Sequence, residues 1–304
     1  MLYARDFAIN HVAPELVAYH ADKLLGYWGD KALADVKGAT CREYIEYRTA
    51  QIGRHGKPIS IATARRELET LQAAINCWHK ESPLATVPAV TLPSKGERRE
   101  RHLSRQEAAR ALRAARQLRL PHISRFILTG IDNGSRHGAI LSLQWLASTT
   151  GGHVDVDAGV IYRRGSGQRE TKKKRPPVEM SVKLRSHMER WQRFDLARGI
   201  SHVVNWQGKK IKKERRAWAR VMKEAGLGED VTPHVLRHTC ATWALYGRDG
   251  KGARPPTKAK TIWEVAGIIA ASAKLVEDCY GHHYRPVISG AYLGREGERK
   301  YATA

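Results

Sequence analysis

The chain has 304 residues and carries 53 Lys and Arg against 30 Asp and Glu, a formal charge of +23. Its 42% hydrophobic content is enough for real cores, which excludes a disordered basic tail, and it has no run of about 18 apolar residues, which excludes a transmembrane helix. The length suits two domains, and the basic excess points to a polyanion, nucleic acid ahead of an anionic membrane surface.

Cys41, Cys77, Cys240 and Cys279 are scattered without CxxC spacing. Neither a zinc ribbon nor a disulfide framework is expected, and a reducing, cytoplasmic setting fits. The N-terminus lacks a basic stretch leading into an apolar one, so no secretory signal is expected.

In chain order, the first ninety or so residues read as short helices. Thr40-Cys41-Arg42-Glu43 has the form of a capping box. Leu68, Leu71, Ile75 and Trp78 recur at spacings of three and four, which predicts one apolar face of a helix beginning near Ser60. Arg48, Arg54, Arg65 and Arg66 interleave on the polar faces. They suit a helical module that grips DNA, the alternative being a helical bundle with no partner. Pro83, Pro88, Pro93 and Ser94 then precede a charge run that includes Arg98 and Arg99, the signature of a linker. Ser104-Arg105-Gln106-Glu107 is a second capping box, opening a helix with Leu112 and neighbouring alanines on its apolar side. The expected domains are 1–94 and 104–304, joined by a basic linker at 95–103.

Residues 153–157 alternate apolar and polar, Ala158-Gly159 turns, and Val160-Ile161-Tyr162 follows, which predicts a β-hairpin. Residues 176–180 read as a short third strand, its prolines favouring an edge. Helical spacing returns with Leu184, Met188 and Trp191, and again with Trp218, Met222 and Ala225. The expected fold is α+β and mostly helical: a helical N-terminal domain and a mixed domain with one small antiparallel sheet.

Three stretches carry candidate chemistry. Arg136 follows a Gly-rich turn and precedes a helix, a placement that aims a guanidinium and helical N–H groups at one point, as a phosphate requires. In Thr232-Pro233-His234-Val235-Leu236-Arg237-His238, Pro233 suits the first turn of a helix and Leu236 its core side. His234 and Arg237 share a face, while His238 is expected to face elsewhere and to serve packing or hydrogen bonding. Tyr280 ends a helical segment beside His282 and His283, and no further ligand at a suitable spacing suggests a metal.

Together these residues resemble the tyrosine recombinase (phage integrase) family. Arg136, a lysine in a β-hairpin, His234-x-x-Arg237 and Tyr280 follow that family's catalytic order, and the resemblance spans essentially the whole chain. It implies a helical core-binding domain and a catalytic domain forming a clamp around duplex DNA at a specific recombination site. Free protomers would be monomers, four would act on two sites, accessory bending proteins are possible, and no cofactor is required. Arg136 and Arg237 would neutralise the phosphate, Tyr280 would attack it, and His234 would handle the tyrosine proton. The leaving-group lysine lies in the run Lys172-Lys173-Lys174, with Lys172 preferred. Lys173, Lys174, Lys209, Lys210, Lys212 and Lys213, with Arg65, Arg66, Arg98 and Arg99, would track phosphates, and the run 251–260 reads as an inserted basic loop.

Two departures stand out. Ala271 occupies the position, nine residues before Tyr280, where the family carries an imidazole or indole, and Ala139 stands where many members have an acid. A second alignment, with Gly281-His282 as the family's Gly-His pair, would make Tyr292 the nucleophile. The leading expectation is an integrase or excision-type recombinase of a mobile element. The alternatives are a degenerate recombinase that binds without cutting and a DNA-relaxing enzyme with the same chemistry.

Overall fold

The computed structural model describes Tyr3, Arg5 and residues 13–54, 56–96, 101–168, 175–246 and 259–281. The chain divides into two units, Met1–Arg98 and Arg99–Ala304. Eleven α-helices and five short strands occur among the described residues, and none of these helices is long and apolar enough to cross a membrane.

The first unit contains α1 (Pro14–Trp28), α2 (Gly38–Thr49) and α3 (Ile61–Glu81). Ser60 caps α3 by accepting the Thr63 N–H at 3.2 Å, as its position before the apolar stripe predicts. Leu68 and Ile75 enter the core beside Trp28 and Tyr44, but Trp78 does not: it is 46% exposed. The α2 capping box also falls elsewhere. The helix starts at Gly38, so Thr40 sits in its first turn, where the hydroxyl accepts the Lys37 N–H and donates to the Asp35 carbonyl.

Arg48, expected on a polar face, is buried. Its Nε and Nη2 donate to the two oxygens of buried Glu67 at 2.8 and 2.6 Å, and Tyr44 donates to the same carboxylate at 2.8 Å. Arg65 is half-buried, paired with Glu69 at 3.0 Å and bonded to the Pro93 carbonyl. Arg54 and Arg66 are exposed.

The second unit begins at α4 (Arg105–Gln117), where Ser104 and Glu107 form the expected reciprocal cap, at 3.1 and 2.8 Å. Ala108, Ala111, Ala114 and Ala115 face the core. The centre is α5 (Pro121–Asn133), whose Ile123, Phe126 and Ile127 are completely buried. It packs on α4, on α8 (Arg215–Glu224) and on α9 (Val235–Tyr246). A Cβ at Gly130 would lie 2.7 Å from Leu236 Cδ1, so the close approach of α5 to α9 depends on a missing side chain.

The antiparallel sheet has the order β1 (His153–Asp155), β2 (Val160–Tyr162), β3 (Val178–Glu179), with Val154 opposite Ile161 and Ile161 opposite Val178. The third strand lies at the edge, as its flanking prolines predict. One hairpin has no forerunner in the sequence reading: β4 (Asn205–Trp206) pairs with β5 (Lys209–Lys210). Gln207 and Gly208 turn it with φ of +50° and +79°. Lys209 and Lys210 are strand residues. They and Lys212 and Lys213 are exposed. Helix α7 (Val182–Leu196) buries Leu184 and Met188, as their spacing predicts, and α8 buries Trp218 and Met222.

Candidate active site

The site assembles where α5 ends, α6 (His137–Leu141) and α9 begin, and α10 (Ile262–Ile269) hands over to α11 (Ala273–Tyr280). Gly134 closes α5 in the left-handed conformation, φ +59°. A Cβ there would stand 2.7 Å from Ile269 Cγ2 and 3.2 Å from Cys240 Sγ, so glycine is required by space as well as by φ. The turn delivers Arg136 to the N-cap position of α6, half-buried, with its own side chain outside the cap hydrogen bonds.

Arg237 comes from the first turn of α9 and is buried. Its Nη1 donates to the Gly134 carbonyl at 2.9 Å and to the Ile269 carbonyl. Pro233 and His234 lie in the turn before α9 rather than inside it, and Leu236 is core. Helix α10 ends on Ala270, at φ +51°, with the Ala270 N–H on the Gly267 carbonyl and the Ala271 N–H on the Ala266 carbonyl, a Schellman termination. The Ile268 and Ile269 carbonyls are then free to accept from arginines, and the negative end of the helix favours the cations there. Ala271 packs, partly buried, on the cluster that also holds Val276 and Tyr280.

Arg163, at the end of β2, is a site residue that the sequence reading missed. It is 3% exposed, and its Nη2 donates to the Asn133 carbonyl at 2.7 Å and to the Ile268 carbonyl. Arg163 and Arg237 thus tie the end of α5 to the end of α10, side by side. Arg163 Nε and Nη1, Asn133 Nδ2 and Ser135 Oγ are buried without a hydrogen-bond partner among the described residues. Nothing in the short segment after the strand marks Arg163 as buried, because the groups that enclose it come from α5, α9 and α10.

No carboxylate pairs with Arg163 or Arg237 among the described residues. Burial first, and then the neighbouring arginines, lowers both to about 10. Arg136 is lowered too, by burial and by Arg175, the residue that follows the lysine run. Lys172, Lys173 and Lys174 lie outside the described residues, as do Arg98, Arg99, residues 251–258, His282, His283, Tyr284 and Tyr292.

Tyr280 is the last residue of α11, whose cap is Ser272, and is 4% exposed. Burial raises its phenol to about 12, although Arg237 nearby pulls the other way. The phenol oxygen is 2.9 Å from His238 Nδ1. His238 therefore faces the site, contrary to the expectation that it turns away. Four residues after His234 it stands one helical turn further along the same face, and the two rings meet edge-on at 4.9 Å and 86°. The surface of His234 is exposed, but the protein packed around its ring strips away enough water that desolvation, followed by Arg237, Arg136 and His137, lowers its pKa. No group of three or more His, Cys, Asp or Glu among the described residues could hold a metal ion.

The structure thus brings together Arg136, His234, Arg237 and Tyr280 and adds Arg163 and His238. The arrangement can bind a phosphodiester anion beside a phenol nucleophile.

No protein-family model matches this sequence, and no curated protein does. Among solved structures, the fold is similar to that of lambda integrase in a dimer bound to a COC′ core site (TM-score 0.65, 16% identity, covering 94% of this chain and 96% of that one). It is similar also to the Tn1549 transposon integrase in complex with transposon right end DNA (TM-score 0.67, 14% identity, 92% and 93% covered). A third is a lambda integrase tetramer bound to a Holliday junction (TM-score 0.60, 16% identity, 94% and 77% covered). These are tyrosine recombinases, and the chain has their fold.

Proposed function

We propose that this chain is a member of the tyrosine recombinase family, a site-specific enzyme that breaks and rejoins DNA through a 3′-phosphotyrosine. The observation that carries the reading is a buried phenol, Tyr280, set among buried arginines that have carbonyl partners but, among the described residues, no carboxylate. Such a cluster lacks one thing, an anion, and a phosphodiester supplies it. Arg136 and Arg237 hold the non-bridging oxygens and stabilise the charge that grows on them as phosphorus becomes five-coordinate. The Tyr280 oxygen attacks, the P–O5′ bond breaks, and the phosphotyrosine keeps the bond energy, so rejoining needs no ATP. His234, at the exposed rim, donates a hydrogen bond from its ring N–H to a phosphate oxygen. The 5′ oxygen takes its proton from the lysine run, Lys172 being the first choice.

In this reading unit 1 is the core-type DNA-binding domain and unit 2 the catalytic one. The partner is duplex DNA carrying a specific site, two of which are synapsed by four protomers, in integration or excision of a mobile element. Arg66, with the exposed lysines at 209, 210, 212 and 213, tracks phosphates, so affinity falls steeply with salt.

The test is phosphotyrosine trapping on nicked suicide duplexes tiled across the DNA flanking the coding sequence. The expected result is a covalent adduct, without ATP, that is lost in Tyr280→Phe and kept in Tyr292→Phe. An adduct with the opposite dependence moves the nucleophile to Tyr292, and specific binding with no adduct defeats the enzymatic reading.

A further inference from the structure

We propose that His238, rather than His234, takes the proton of Tyr280 as the phenol oxygen attacks phosphorus. The inference rests on the recombinase reading above and names a catalytic group that the sequence order alone does not assign.

The geometry is direct. His238 Nδ1 is 2.9 Å from the phenol oxygen, within the reach required of a general base. The rings are tilted at 58° with centroids 5.6 Å apart, so the contact is made through the nitrogen rather than by stacking. His234 meets His238 by ring edge and is exposed.

The protonation states suit the direction of transfer. Burial holds His238 down to about 4, with His234 in the turn before α9, Arg237 on its own helix and His102 before α4 adding to the effect. At neutral pH the imidazole is therefore uncharged, and with the proton on Nε2 its Nδ1 accepts from the phenol. Tyr280, raised to about 12, keeps its proton until it is needed. The pair is mismatched at rest. A bound phosphate brings negative charge to Arg237, which offsets the part of its repulsion that adds to burial at His238, while O–P bond formation acidifies the phenol. The Tyr280 O–H bond breaks as O–P forms, and the proton goes to Nδ1. P–O5′ breaks, and the 5′ oxygen is protonated from the lysine run. In rejoining, the 5′ hydroxyl gives its proton back to the lysine run as it attacks the phosphotyrosine, the P–O bond to Tyr280 breaks, and His238 returns its proton to the departing phenolate.

The experiment is single-turnover adduct formation by the full chain on the suicide duplex, from acid to alkaline pH. It compares wild type with His238→Ala, His238→Asn and His234→Ala. An asparagine amide oxygen lies close to where Nδ1 lies, so His238→Asn can accept the phenol hydrogen bond but cannot take the proton. Both His238 variants should slow the reaction by about 100-fold or more while duplex affinity stays within about twofold. Imidazole in the buffer should accelerate His238→Ala and leave His238→Asn and His234→Ala unmoved. If asparagine restores the rate to within about threefold of wild type, His238 only positions the phenol and the proposal is overturned. Unchanged rates in both His238 variants overturn it as well, with the recombinase reading intact. No adduct from wild type on any duplex overturns the recombinase reading itself.

Discussion

In unit 1, Arg48 is buried against Glu67 with two charged hydrogen bonds and a tyrosine on the same carboxylate. In unit 2, Arg163 and Arg237 are equally buried, but against backbone carbonyls and beside Arg136. The Glu67 hydrogen bond raises the pKa of Arg48, whereas burial and like charge lower those of Arg163 and Arg237. The first arrangement is complete in the folded chain. The second keeps electrostatic attraction for an anion that the described residues do not provide. Buried charge by itself thus says little about function, and the sign of its neighbours says a good deal.

The comparison can be broken by removing one member from each cluster. Glu67→Ala leaves Arg48 buried and uncompensated and should lower unfolding free energy by about 3–5 kcal/mol, read from urea denaturation. Arg237→Ala should do the reverse in kind: adduct formation falls by about 10²–10³-fold, while stability changes by less than Glu67→Ala because relief of repulsion offsets the lost carbonyl bonds. The same variant should lose the thermal stabilisation that inorganic phosphate gives wild type. Equal stability losses in the two variants would erase the distinction drawn here.

A smaller effect sharpens it. His122 and His238 are each held by burial at about 4 in the folded chain, against 6.5 in an exposed histidine. The unfolded chain therefore takes up protons first as pH falls. Stability from this source is complete above about pH 6.5 and is lost on the way down to about pH 4. Glu107, lowered to about 2 chiefly by its bond to Arg101, adds a loss below about pH 4.5. Urea midpoints measured across pH should decline over the first window, and less so in His238→Ala; a flat profile there would contradict the buried neutral histidines.

Much of this molecule was legible in its residues because the signals were local. The alternation at 153–162, the Ser104–Glu107 cap, the Ser60 start of α3 and the stripes of α7 and α8 depend on neighbours a turn or a strand away. Misplacements occurred where a competing local partner, a distant partner or a very short element decides. Thr40 looked like a cap, yet Asp35 and Lys37 set the start of α2 before it. Arg48 looked like a solvated base, yet Glu67, on another helix, drew it inside. The β4–β5 hairpin is two residues a side, too short for any alternation to show. His238 had a usable signal: four residues from His234, it repeats the helix more closely than Arg237 does at three.

The order Arg136, His234, Arg237, Tyr280, the excess of basic charge and the mostly helical α+β class follow from the sequence by itself, since residue type and spacing encode them. Only tertiary structure decided that Arg163 joins them, that His238 meets the phenol and that the arginines have no carboxylate partner among the described residues. Those facts depend on α5, α9, α10, α11 and the end of β2 meeting at one point, and residues separated by 30 to 105 positions make the decisive hydrogen bonds. Spacing along a chain fixes which face a side chain shares, but not which distant helix will cover it.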